Sequence, residues 1–198
     1  MKAPDATTGL TPLHEAQRIV LDAAPPLGLE ELSIRDTLGR VLGEDIIAER
    51  HNPPWDNSAM DGFAVRAEDI QQEHTISKPV TLTVIEDVPA GKMPTKSVGR
   101  GQAIRIMTGA PIPKGADTVL KVEDTEHTPD SVRVFKPEPR GSNIRPQGED
   151  VKKGDCIIPK GTTIRSGEAG MLAILAKSFV LVYPRPRAAM LSTGDELA

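Results

Sequence analysis

The chain has 198 residues, enough for one large domain or two small ones. A hydrophobic fraction of 38% with 17 glycines and 18 prolines favours short strands joined by ordered turns over a helical bundle. The net charge of -4, without a basic cluster, argues against nucleic acid and an anionic membrane surface as partners. The longest apolar run, residues 171–176, is too short to span a bilayer.

The first predicted element is an amphipathic helix over residues 11–24. Thr11 is placed to cap it, Pro12 suits the first helical position, and the Pro25-Pro26 pair ends it. A short strand is predicted next, then a turn or single helical turn, then a further extended segment, over residues 31–34, 35–40 and 41–48.

The middle of the chain alternates short apolar runs with glycine and proline. The pattern predicts strands over residues 63–65, 79–85, 103–107, 118–123 and 132–135. Their regular spacing predicts a compact β unit over about residues 51–144.

The last part of the chain predicts strands over residues 156–159, 179–183 and 188–191. Between the first two, Ser166 is placed to cap a helix over residues 167–177, which is apolar nearly all round and is therefore predicted to be buried. A strand that runs into Ser192–Glu196 is typical of the start of an α/β domain.

The cysteine content bears on the cellular compartment. Cys156 is the only cysteine, so no internal disulfide forms, as is typical of a reducing compartment. Its apolar flanks predict a buried, unreactive thiol. The first ten residues contain no apolar core, which argues against a secretory signal peptide. We therefore expect a cytoplasmic protein.

Polar residues cluster at four strand ends, in residues 56–61, 108–111, 143–150 and 192–196. Carboxylates and hydroxyls on loops of one scaffold are what hard divalent cations and phosphate chemistry require. Three arginines can donate to an anion in a forked geometry, although solvation is their commoner role: Arg105, Arg140 and Arg145.

Each cluster also has a plainer interpretation. Asp61-Gly62 can be a turn that needs a positive φ. The local sequence supports this turn and a functional site about equally. Thr108-Gly109 can be a strand-ending turn, and Glu149-Asp150 a solvated pair near lysines. Asp195-Glu196 can be a helix cap with a first-turn acid. No phosphate loop, dinucleotide fingerprint, zinc spacing or nucleophile elbow is present.

The segment Asp56-Asn57-Ser58-Ala59-Met60-Asp61-Gly62 resembles the hallmark of the MoeA family, the molybdopterin molybdenumtransferases, a family that also includes the E domain of gephyrin. Three further segments occur in the family's order, at residues 104–111, 143–150 and 191–197. The resemblance covers about residues 10–198.

The resemblance implies a mostly β fold with a few helices, in three parts. Residues 10–50 and 145–180 would form an elongated, mixed α+β dimerisation domain built from two segments. Residues 51–144 would form an inserted compact β domain that carries the site loops. Residues 181–198 would begin a truncated α/β domain that binds molybdopterin.

The resemblance also implies a function. Family enzymes insert molybdenum from molybdate into adenylylated molybdopterin and release AMP, the last step of molybdenum cofactor biosynthesis, with Mg²⁺ or another divalent metal. They are homodimers in which the β domain of one subunit completes the other's cleft, and other proteins of the pathway are further partners. Because most of the α/β domain and the whole fourth domain are missing, we expect this chain alone to be inactive.

The family's functional residues fall on Asp61, Thr108, Asp150 and Glu196. The resemblance and the carboxylate chemistry predict that Asp61 and Glu196 hold the metal, and that Thr108 binds substrate together with Asn57 and Ser58. Asp150 is expected to orient a neighbour or a water molecule.

Two other functions stay open. The first is a non-catalytic scaffold for dimerisation and partner docking, of the gephyrin E-domain type. The second is a generic metal-dependent phosphohydrolase, which fits the carboxylates but not the whole set of motifs.

Overall fold

A computed structural model describes residues 11–71 and 78–191 of the chain. Within them the fold is mostly β, with two helices and thirteen strands, which confirms the predicted fold class. In chain order these elements are α1 (Leu13–Asp22), β1 (Glu30–Ser33), β2 (Val41–Leu42), β3 (Ile46–Ile47), β4 (Asn57–Ser58), β5 (Gly62–Val65), β6 (Val80–Val88), β7 (Gln102–Ile106), β8 (Thr118–Lys121), β9 (Thr125–His127), β10 (Ser131–Val134), β11 (Ile144–Arg145), β12 (Cys156–Ile158), α2 (Ser166–Ile174) and β13 (Phe179–Tyr183).

The chain divides into two compact units. The first contains the described residues up to Ile46 and from Cys156 onward, and the second runs from Ile47 to Asp155. The second unit therefore includes residues beyond both ends of the predicted β unit of residues 51–144. Its two ends are adjacent, because the Ala48 N–H donates to the Asp155 carbonyl at 2.9 Å and the Gly154 N–H donates to the Ala48 carbonyl at 2.8 Å.

The sheet of the first unit has three antiparallel strands in the order β1-β13-β2. Val182 of β13 pairs with Glu30 on one side and with Leu42 on the other. Leu42 and Val182 are fully buried. Residues 181–183 complete this sheet, so the first unit extends past residue 180, and the start of an α/β domain within residues 181–198 stays a prediction.

The helices of the first unit are more exposed than predicted. Helix α1 follows Pro12, has no capping side chain and buries none of its residues, so Thr11 is not the cap. In α2 only Leu172 is buried, while Ile174 is 52% exposed. The prediction of a buried α2 was wrong, since a helix packed on one side buries only one face.

Three further predictions for the last part of the chain were wrong. Ser166 is the first helical residue, and the N–H of the preceding Arg165 donates to Glu168 Oε2 at 2.9 Å. Cys156 is exposed, because it lies at the outer end of β12, where burial increases only towards Ile158. Residues 188–191 form no strand, since within the described ranges no partner strand pairs with them, and Met190 is 98% exposed.

The second unit is built on a six-stranded sheet in the order β8-β5-β7-β6-β10-β9. Its two outer strands, β8 and β9, are consecutive in the chain and are joined only by the helical turn Val122–Asp124. In a flat sheet these strands would lie about 24 Å apart, whereas a link of this length spans at most about 14 Å. The sheet is therefore curled into an open barrel.

Both faces of this sheet are buried, so β5 is buried at all four positions. An inner cluster fills the barrel and consists of Phe63, Val65, Ile70, Leu82, Ala103, Leu120, Val132 and Val134. An outer cluster lies on the opposite face and consists of Ala64, Val88, Val98, Ile104, Ile106, Ala110 and Val119. Successive residues of β5 and of β7 thus point to opposite faces, as the period of a strand requires.

Candidate functional site

Asp61 and Thr108 lie side by side at one end of the barrel. Asp61 immediately precedes β5, and Thr108 follows the end of the antiparallel strand β7, with Gly62 opposite Ile106. Asp61 Oδ1 accepts two hydrogen bonds, from the Thr108 N–H and from its hydroxyl, each at 2.7 Å. The fold therefore brings together two residues that the sequence predicted separately.

These contacts keep the Asp61 carboxylate ionised. The pKa of Asp61 is lowered by the hydrogen bond from the Thr108 N–H, then by that from its hydroxyl, with a smaller contribution from the positive charge of Arg105. Both Thr108 bonds go to Oδ1, and among the described residues none donates to Oδ2. Asp61 thus presents one charged oxygen that is available to a ligand.

Gly62 has a packing role that the sequence did not reveal. It lies in β5 with an ordinary φ, so the interpretation of Asp61-Gly62 as a turn that needs a positive φ was wrong. A Cβ at this position would lie 1.7 Å from the Leu120 carbonyl oxygen of β8. Gly62 is required because β5 and β8 approach each other closely directly beside Asp61.

The plainer interpretation of Thr108-Gly109 is correct, and the turn also serves the site. The Ala110 N–H donates to the Met107 carbonyl at 2.9 Å, and Gly109 has a φ of +84°. Glycine is preferred at the third position of such a turn because of the positive φ. The turn ends β7 and holds Thr108 against Asp61.

Strand β4 connects three of the four polar clusters. Its Ser58 donates its N–H to the Ala110 carbonyl at 2.9 Å, and its carbonyl accepts from the Gly109 N–H at 2.8 Å. On the other side Asn57 pairs with Arg145 of β11. The first cluster therefore lies between the second and the third.

The two β4 side chains are buried. The Ser58 hydroxyl donates to the Met60 carbonyl at 2.5 Å and accepts from the Met60 N–H at 3.3 Å. It therefore supports the backbone of residues 56–61, which we call the site loop. Asn57 is 9% exposed, and its Oδ1 is a buried acceptor to which none of the described residues donates a hydrogen bond. Buried polar atoms are rarely left in this state unless a ligand or water completes them.

The third cluster is organised by Arg145. Its Nε donates to Glu149 Oε2 at 2.8 Å, and one terminal nitrogen donates to both carboxylate oxygens of Asp150, each at 2.8 Å. Glu149 and Asp150 are therefore paired with this arginine, and not simply solvated near lysines. With two carboxylates on it, Arg145 is not the free anion donor that the sequence suggested. Arg140 is likewise engaged, with Asp117 at 3.1 Å.

A further link between the first and third clusters was not predicted. Asp56 Oδ1 accepts from the Gln147 N–H at 2.7 Å, and the Gln147 side chain donates to the Pro54 carbonyl at 2.6 Å. Asp56 opens the polar run that the sequence marked as a site loop, but nothing in the sequence indicates Gln147 as its partner. The pair fixes the start of that loop.

Of the predicted site residues, Asp61, Thr108, Asp150, Asn57 and Ser58 all lie in the second unit, whereas Glu196 lies outside the described residues. Direct contact joins only Asp61 with Thr108, and Asp150 is held separately by Arg145. Over residues 11–71 and 78–191, no three His, Cys, Asp or Glu residues form a group suited to a metal ion. No helix in those ranges is long and apolar enough to cross a membrane.

Comparison with known proteins places this arrangement in a family. Residues 11–176 match the family model described as the MoeA N-terminal region, domains I and II. The chain is 39% identical to Molybdopterin molybdenumtransferase 2 of Mycobacterium tuberculosis, with 94% of this chain and 46% of that protein covered. It is also 39% identical to Molybdopterin molybdenumtransferase of Bacillus subtilis, with 94% and 44% covered.

A solved structure agrees with these relatives. The molybdopterin biosynthesis moeA protein of Pyrococcus horikoshii OT3 superposes with a TM-score of 0.82 at 42% identity, covering 89% of this chain and 47% of that one. The chain thus spans about half the length of the relatives it matches. Since the family model covers most of its residues, the chain belongs to the MoeA family, within the family's N-terminal region.

Proposed function

We propose that this chain is part of a molybdopterin molybdenumtransferase, which inserts molybdenum from molybdate into adenylylated molybdopterin with release of AMP. The observation that carries the proposal is the Asp61–Thr108 pair, an ionised carboxylate fixed at a strand end in a chain of this family. The names of the two bacterial relatives support a transfer of molybdenum to molybdopterin.

The residues present suit a hard divalent cation such as Mg²⁺. Mg²⁺ is commonly bound by one or two carboxylates, with substrate phosphates and waters as its other ligands. Asp61 Oδ2 can supply one such ligand, and we propose Glu196 as the second. A cation here would neutralise the charge that develops when a phosphoanhydride is cleaved.

We assign the other residues by what they contact. Thr108 orients Asp61 and keeps it ionised, so its main role is to position the carboxylate, while its hydroxyl oxygen can still accept a hydrogen bond from substrate. Asn57, on the strand next to the Thr108 turn, offers a buried acceptor to which no described residue donates. Asp150, fixed by Arg145, orients a water molecule or a neighbouring group.

We further propose a cytoplasmic homodimer in which this β unit completes the cleft of the neighbouring subunit. The exposure of Met60 (38%) on the site loop and of Trp55 (43%) directly before it supports a loop that faces a partner. Large apolar residues left exposed in such a loop are typical of interaction surfaces.

We expect the chain by itself to lack transferase activity, because it spans under half of the Mycobacterium relative. The test supplies the chain with adenylylated molybdopterin, molybdate and Mg²⁺ and measures AMP release. A chimaera in which this chain replaces the corresponding half of the Bacillus subtilis relative is expected to release AMP. AMP release by the chain alone would refute the expectation.

The alternative function is a non-catalytic scaffold for dimerisation and docking. It is favoured by α1, where Leu13, Val20 and Leu21 are 75%, 66% and 72% exposed on an amphipathic helix. Complementation of a strain that lacks molybdenum insertion separates the two functions. The chimaera with Asp61→Ala is expected to fail where the unchanged chimaera succeeds, and equal rescue by both would favour the scaffold.

A further inference from the structure

A cavity of about 540 Å³ is lined in part by Arg105, which lies opposite Phe63, two residues after Asp61. Its lining includes Asp87 of β6, Arg105 of β7 and His127 of β9. The His127 ring packs against Phe63 of the inner cluster, with ring centroids 5.3 Å apart. The cavity is therefore a barrel mouth, a common place for a small-molecule site.

Arg105 points into this mouth from the strand that leads to Thr108. Its neighbours Ile104 and Ile106 belong to the outer cluster, so alternation along β7 places Arg105 on the inner face. It lies opposite Phe63 and beside Asp87. Asp61 precedes Phe63 by two residues and therefore points to the same face of the sheet. The positive charge of Arg105 acts on the Asp61 carboxylate.

The Arg105 guanidinium is only loosely paired. Its Nη1 lies 3.8 Å from Asp87 Oδ2, with the two side chains 40% and 57% exposed. Exposed pairs of this kind contribute little to stability, so an incoming anion displaces or joins them at low cost. This distinguishes Arg105 from Arg145, which two carboxylates already occupy.

The neighbouring carboxylate in the lining does not compete for Arg105. Glu86 accepts from the Thr95 N–H at 3.0 Å, from the Thr95 hydroxyl at 2.7 Å and from the Lys96 N–H at 2.9 Å. Glu86 and Asp87 are consecutive in β6 and therefore point to opposite faces, with Glu86 opposite Ile104 and Asp87 opposite Arg105. Asp87 is directly opposite Arg105 in the register of β6 and β7 and can hold the guanidinium in place.

We propose that Arg105 binds a phosphate oxygen of the substrate at the barrel mouth, beside Asp61, and that Asp87 is its positioning residue. The inference rests on the proposed function, which supplies a phosphoanhydride as substrate. A phosphate held there has its charge compensated by the guanidinium on one side and by a cation on Asp61 on the other. Preorganised positive charge of this kind stabilises the transition state of phosphoryl chemistry.

The test titrates AMP, and separately inorganic phosphate, into the chain in the presence of Mg²⁺. NMR follows the Nε–H resonance of Arg105, which is expected to shift with either ligand. Arg105→Gln is expected to weaken AMP binding about tenfold or more, since charged hydrogen bonds are the strong ones. Arg133→Gln is the matched control, because Arg133 is similarly exposed (47%) and pairs with Glu126 on neighbouring strand β9.

Two outcomes would overturn the proposal: an Arg105 resonance that does not move at millimolar AMP, or an Arg105→Gln variant that binds AMP as tightly as the unchanged chain. The chimaera separates this failure from that of the proposed function. If AMP binds at Arg105 but the chimaera is inactive, the proposed function is contradicted and the anion site is supported. If the chimaera is active and Arg105→Gln changes neither its KM nor its kcat, the anion site is contradicted and the proposed function is supported.

Discussion

Asp61 and Thr108 form a fixed pair in which one carboxylate oxygen accepts both the N–H and the hydroxyl of the threonine at 2.7 Å. Such a pair orients the carboxylate through one oxygen and leaves the other for a ligand. Because the backbone N–H is one of the donors, the geometry depends on the register of β5 and β7 as well as on the side chain.

Thr108→Val removes the hydroxyl donor and keeps the backbone donor. We expect the pKa of Asp61 to rise but to stay below 3.8, since the backbone bond has the larger effect. A pH titration of the Asp61 carboxyl carbon by NMR measures this. Because the pKa of Asp61 is lower in the folded state, its ionised form stabilises the fold at pH values above the unfolded-state pKa. This stability is lost as pH falls through the folded-state pKa, and Thr108→Val is expected to lose part of it. Thr128→Val is the control, and an unchanged midpoint in Thr108→Val would contradict the prediction.

Gly62→Ala tests the close approach of β5 and β8. The new methyl would lie 1.7 Å from the Leu120 carbonyl oxygen, so the two strands must separate. We expect a loss of about 3 kcal/mol in the free energy of unfolding, measured by urea denaturation. Gly170→Ala in α2 is the control, because its methyl meets no atom within 4 Å and alanine favours a helix by about 1 kcal/mol. Equal urea midpoints for Gly62→Ala and the unchanged chain would contradict the close packing.

Arg145→Gln tests whether Arg145 positions Asp150 for activity without contributing much to the stability of the fold. The ion pairs of Arg145 are partly exposed, so we expect little change in Tm. Asp150 loses its partner, and the chimaera is expected to lose about 10- to 100-fold in kcat, as misplaced site groups commonly do. Thermal unfolding and AMP release measure the two effects, with Arg133→Gln as control. An unaltered kcat would mean that Asp150 does not need Arg145.

Glu168 predicts a pH dependence in the first unit. Hydrogen bonds from the Arg165 side chain, and then from its N–H, lower the pKa of Glu168 from 4.5 to about 2. The stability that these contacts contribute is therefore present above pH 4.5 and is lost as pH falls towards 2. Arg165→Gln is expected to flatten the fall in Tm over this range, modestly because the arginine is exposed. The same slope in both proteins would contradict the prediction.

The sequence predicted strands where the apolar period is visible. In β13 an apolar run stands between polar segments, and its bounds were predicted correctly. In β6 apolar residues alternate with threonine as far as Val84, and the strand was found but continues three residues past the predicted end. Strands β4 and β11 were missed because two residues carry no period, and Asn57 and Ser58 are polar although buried. These pairings exist only in the tertiary structure.

The site was predictable residue by residue but not as a geometry. Asp61 and Thr108 were indicated by their polar clusters and by the family resemblance, whereas their direct contact depends on how β5 and β7 align. The role of Arg145 was missed for a similar reason. The sequence shows an arginine near two acids, and only the side-chain hydrogen bonds of the structure show that it holds both.

The adjacent ends of the second unit have a consequence for its evolution and for its use. A unit whose entry and exit strands are bonded at Ala48 and at Gly154–Asp155 can be gained, lost or transplanted through two neighbouring cuts without threading the host chain. Residues 47–155 are therefore a portable module, and circular permutation that joins these ends is expected to leave the contact between Asp61 and Thr108 intact.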